Sequence, residues 1–71
     1  DEDAAKWWLK SAEMGYAPCQ FSIGAAYLIG SGVDKDLSLA KRWLQLAVDS
    51  TYEKYSRSAK VLYAAHELDK Y

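Results

Sequence analysis

Apolar positions recur along this chain at helical spacing. In residues 2–14, Ala4, Trp7, Trp8, Ser11 and Ala12 fall at i, i+3, i+4, i+7 and i+8, one face of a helix. Glu2 and Asp3 suit its positive N-terminus, and Gly15 suits its end. The spacing predicts a second helix over 17–29, with Pro18 in the first turn, where a missing N–H costs nothing. This segment has two apolar faces, Cys19, Ile23, Ala26 and Tyr27 on one and Phe21, Ala25 and Leu28 on the other. Gly30 stops it, and Gly32 lets the chain fold back. Val33, the one apolar residue of the turn 30–36, is expected to plug between helices. Asp36 is a good N-cap for a third helix over 37–49, where Ala40, Trp43, Leu44, Ala47 and Val48 repeat the first face. A last helix is expected from about Tyr52 to near Tyr71, with Tyr55, Ala59, Leu62, Tyr63 and His66 on one side. Glu53 and Arg57 form a supporting i, i+4 pair on it. No segment reads as a strand or a linker.

The chain also matches itself at a shift of 36 residues. Ala4 falls on Ala40, Trp7 on Trp43, Tyr16 on Tyr52, Ser22 on Ser58 and Tyr27 on Tyr63. A period in this range marks a helical repeat array. The reading is therefore all-α: an α/α superhelical solenoid of antiparallel helix pairs, four helices making about two repeats within one module, 1–71. Small residues matter as much as large ones here. Gly24 in a helix interior costs about 0.5–1 kcal/mol relative to Ala, so something must approach its backbone closely. Trp43 or Trp7 is the expected neighbour.

Composition narrows the chemistry. A formal charge of −1 removes the electrostatic case for nucleic acid or an anionic membrane. The single cysteine can form no internal disulfide, and no Cys/His cluster suggests a metal. No apolar run reaches the ~20 residues of a membrane span. The chain begins at Asp1 rather than Met and reads as a fragment or processed product. No constellation supports catalysis. His66 has no nucleophile or carboxylate on its face. Cys19 reads as a small core residue, and Asp36 as a cap rather than a cation ligand. No cofactor is expected.

The run Ile23-Gly24-x-x-Tyr27-x-x-Gly30-x-Gly32-Val33-x-x-Asp36-x-x-x-Ala40-x-x-Trp43-x-x-x-Ala47 resembles the Sel-one-like repeat, a relative of the tetratricopeptide repeats. Residues 4–20 match the end of one such repeat running into the next, with a junction near 15–17. The resemblance is strong over 2–50 and implies a right-handed solenoid that binds proteins or peptides as an adaptor or scaffold. It also implies settings such as bacterial envelopes or endoplasmic-reticulum quality control, and a core role for Trp7. The tail departs from the pattern: Gly15, Ala17, Gly24 and Gly30 become Thr51, Glu53, Lys60 and His66. Residues 52–71 are thus expected to form one terminal capping helix with a polar outer face. Since three or more repeats are usual, the module is expected to belong to a longer array or to a dimer.

By position, the resemblance places Phe21, Ala25, Leu28 and Ile29 on a concave groove, with Arg57, Val61 and Ala64 extending it. Such a surface suits an apolar or amphipathic helix. The plainer reading of Phe21 and Leu28 is packing against a missing upstream helix. Trp8 points about 100° away from Trp7 and is the expected interface residue. Three functions stay open: a module binding a protein or peptide partner, a homo-oligomerising structural repeat through Phe21, Leu28 and Trp8, and a sugar-binding accessory domain.

Overall fold

The computed structural model describes residues 2–71, and the expected N-terminal role of the Glu2 side chain falls outside what it describes. Four helices follow one another: α1 (Glu2–Glu13), α2 (Ala17–Ile29), α3 (Leu37–Val48) and α4 (Glu53–Ala65), then a 3₁₀ turn (Leu68–Lys70). The α1–α2 and α3–α4 connections are short, so neighbours pack side by side, and α2 also touches α3 and α4. The helices form an all-α stack of paired helices.

Glycine and aspartate set the boundaries as the pattern predicts. Gly15 adopts φ 92°, its N–H donates to the Ala12 carbonyl, and the Tyr16 N–H reaches back to Ser11. This pairing satisfies carbonyls left over at the end of α1. Gly30 ends α2 at φ 73°. The Asp36 carboxylate accepts from the Leu39 N–H at 3.0 Å, and the Asp36 N–H donates to the Tyr27 carbonyl. The turn is thereby tied to α2 at the point where α3 begins.

The 36-residue period reappears in hydrogen bonds. Gln20 Nε2 on α2 donates to the Ala12 carbonyl of α1, and its repeat mate Ser56 on α4 donates through Oγ to the Val48 carbonyl of α3. In each of the helix pairs α1–α2 and α3–α4, the second helix donates to a carbonyl in the last turn of the first.

Two apolar clusters lie along the stack. The first joins Ala5, Ala12, Ile23 and Ala26, with Trp8, Leu9, Cys19, Val33 and Trp43 packed around them. The second joins Leu28, Ala40, Leu44, Ala47, Ala59 and Leu68, with Phe21, Leu37, Val48 and Leu62 around them. Tyr27 borders both. Val33 is in the packing place expected of it.

Three expectations are corrected. The last helix does not run to Tyr71; it ends at Ala65, and Glu67 turns the chain at φ 50° without a glycine. Leu68 is then fully buried against α3 and α4, one register from the repeat mate of Val33. The residue pressed onto Gly24 is Leu44, not Trp43 or Trp7. On α1 the buried arc is Ala5, Trp8, Leu9 and Ala12, so Trp7 is 69% exposed and Trp8 is half-buried.

Candidate functional site: the α2–α4 surface

The candidate positions are related in pairs by the period: Phe21 with Arg57, and Ala25 with Val61. They recur every four residues on α2 and α4, two helices that pack together, so each set forms one stripe. Ile29 continues the stripe on α2 and is 70% exposed; Val61 on α4 is 67% exposed. Phe21 and Ala25 are half-buried.

Phe21 meets Tyr55 of α4 with ring centroids 6.0 Å apart. Tyr55 in turn meets Tyr52, and Tyr52 meets Tyr16 edge-on, each at 6.5 Å. Four rings thus line the end of the surface where α2 and α4 begin. Lys54 places its ammonium 5.8 Å from the Tyr55 ring centre, a weak attraction to the ring face. Arg57 is exposed and paired with Glu53, which leaves the basic edge largely neutralised.

Two sequence candidates do not lie on this surface. Leu28 is 4% exposed and belongs to the second cluster, because α3 and α4 cover that side of α2. Trp8 packs into the first cluster. Ala64, the repeat mate of Leu28, is exposed on α4. The ring chain was only partly legible; its signal is the Tyr16–Tyr52 repeat pair.

The surface holds no acid–base or nucleophilic pair. Among the described residues there is no group of three or more His, Cys, Asp or Glu that could hold a metal ion. Cys19 is a free, half-buried thiol. His66 is exposed at the end of α4. No helix is long and apolar enough to cross a membrane among the residues described.

Comparison with protein families agrees with the repeat geometry. The Sel1 repeat model matches residues 1–16 and 17–52. The chain belongs to the Sel1 repeat family. The match divides at the turn after α1, so α2 and α3 make one full Sel1 repeat and α1 is the end of another. Sel1 repeats are protein–protein interaction modules in general, and the family is a repeat scaffold rather than an enzyme class. No curated protein and no solved structure matches the chain.

Proposed function

We propose that this Sel1 repeat chain is an adaptor or scaffold module that receives an amphipathic helix or peptide along the α2–α4 surface. The observation that carries this reading is the exposure of Ile29 and Val61 on adjacent helices, 70% and 67%, beside the Phe21–Tyr55 ring pair. Exposed aliphatic side chains aligned on neighbouring helices suit the apolar stripe of a bound helix. Phe21 and Tyr55 supply a rigid aromatic edge, the kind of residue that dominates contact energetics. Ala25, a small residue between Phe21 and Ile29 on the α2 stripe, leaves room for a side chain of the partner. Arg57, released from Glu53, would meet an acidic residue at the rim. Chemistry of the chain's own plays no part in this reading.

Leu28 and Trp8 act through the core that holds these stripes in place. A selection of displayed helical peptides against the chain tests the proposal. Binders should carry apolar residues at i, i+3 or i+4, and i+7. Ile29→Asp and Val61→Asp should each weaken them about tenfold or more with unchanged helicity. Binders indifferent to both substitutions would refute it.

A further inference from the structure

A cleft of about 390 Å³ opens between the end of α1, the first turn of α2 and the middle of α3, and it shares no residue with the α2–α4 stripe. Gln20 is its buried polar residue. It is 8% exposed, and its Nε2 donates to the Ala12 carbonyl at 3.3 Å. A carbonyl can only accept, so the amide nitrogen must face Ala12 and Oε1 must face away. Among the described residues no donor meets that oxygen, and no buried side-chain nitrogen or oxygen lacks a partner, so Oε1 opens onto the cleft. Trp43, half-buried against the first cluster, lines another wall. Among the described residues the cation over a ring is Lys54 on Tyr55, so no cation of the chain covers Trp43. Glu13, the last residue of α1, stands exposed at the rim, and neither ion pair among the described residues uses it.

We propose that this cleft takes the guanidinium of an arginine side chain from a partner protein. Three of its features favour a cation. The end of α1 carries the negative pole of the helix dipole, and Glu13 adds a full charge there. Gln20 Oε1 is an acceptor held in place by the bond its own nitrogen makes. The Trp43 ring attracts a cation laid on its face, and arginine is the cation that does so more often. A guanidinium has five N–H donors in one plane, so it can lie along the indole while donating to Gln20 and Glu13. A lysine ammonium is a compact point charge and gains less from the flat wall. Arg42 is the one like charge in the lining, and it is exposed, where solvent and salt screen it. An anion would have Arg42 alone in its favour, against Glu13, the helix end and the Gln20 oxygen. In a family whose repeats bind proteins, the source of the guanidinium is a protein side chain. This contact is separate from the α2–α4 stripe and does not rest on it.

Titration of the isotope-labelled chain with N-acetyl-arginine amide, at constant ionic strength, reads binding at the Trp43 indole N–H and the Gln20 side-chain amide. Both signals should shift together and saturate in the millimolar range expected of a single side chain. Glu13→Gln should weaken binding about threefold, and Arg42→Gln should tighten it by about the same factor, the scale of exposed charge contacts. Both residues are exposed, so circular dichroism should not change in either variant. N-acetyl-lysine amide should bind several-fold more weakly, and free arginine no better than the capped form. Silence at Trp43 and Gln20 would overturn the proposal. So would equal binding of the lysine amide, or tighter binding of free arginine, which would assign the cleft to a small molecule. Weaker binding in Arg42→Gln, the sign of an anion site, would overturn it as well.

Discussion

Leu44 lies so close to Gly24 that a Cβ on Gly24 would sit 2.8 Å from both Leu44 Cγ and Cδ2, and 3.2 Å from its backbone nitrogen. The approach explains why α2 keeps a glycine in its interior. Adding a methyl there gains about 0.5–1 kcal/mol of helix propensity but forces an overpacked contact costing about 1–3 kcal/mol. Gly24→Ala should therefore lose about 1 kcal/mol in urea unfolding, and Gly24→Leu should abolish folding. Combined with Leu44→Ala, the methyl should cost less than the sum of the two changes, because they share one contact. Lys60, the exposed repeat mate of Gly24, should tolerate alanine within about 0.5 kcal/mol.

The chain reversal after α4 is held by Leu68 and strained at Glu67. Leu68→Ala opens a cavity in the second apolar cluster, between the turn and α3 and α4, and should cost about 2–5 kcal/mol by thermal or urea unfolding. Glu67→Gly should stabilise by about 1 kcal/mol, since a non-glycine residue in the left-handed region carries about 1–2 kcal/mol. The exposed Glu67–Lys70 ion pair lost with it contributes little.

The three tryptophans should rank by cover. Trp7→Ala should leave stability unchanged within about 0.5 kcal/mol. Trp8→Ala and Trp43→Ala should each cost more, but at or below the about 3–5 kcal/mol of a fully buried tryptophan, because both are half-buried. Acrylamide quenching of single-tryptophan variants should find Trp7 the most accessible of the three.

The paired bonds from α2 to α1 and from α4 to α3 should carry comparable weight. Gln20→Ala and Ser56→Ala each remove a donor to a helix-end carbonyl and should cost about 0.5–1.5 kcal/mol. Asp36→Ala removes the α3 cap and should cost about 1 kcal/mol. A result in which Gln20→Ala is silent while Ser56→Ala is severe would break the equivalence of the two helix pairs.

Helix starts and stops were legible because they rest on local chemistry: Gly15, Gly30 and Asp36 act within their own turns. The 36-residue period revealed the repeat, and Val33 revealed the loop plug. What periodicity cannot supply is which part of an apolar arc finds a neighbour. On α1 the pattern runs from Trp7 to Ala12, yet α2 covers only the Trp8–Ala12 side, so Trp7 faces solvent. The same limit exchanged Trp43 for Leu44 at Gly24, one residue and about 100° apart. It also left Leu28 on a groove, although α3 and α4 bury it. The break at Glu67 had no glycine to announce it. Its signal was Leu68, the lone apolar residue between His66 and Lys70, as Val33 is in the earlier turn.

A partner helix is proposed to engage the α2–α4 surface. Amide chemical-shift mapping of the labelled chain, titrated with a selected amphipathic peptide, tests it most directly. Saturable shifts are expected along Phe21, Ala25, Ile29, Arg57 and Val61, with α1 little changed. Shifts confined to α1 around Trp7 and Met14, with the α2–α4 stripes silent, would contradict it.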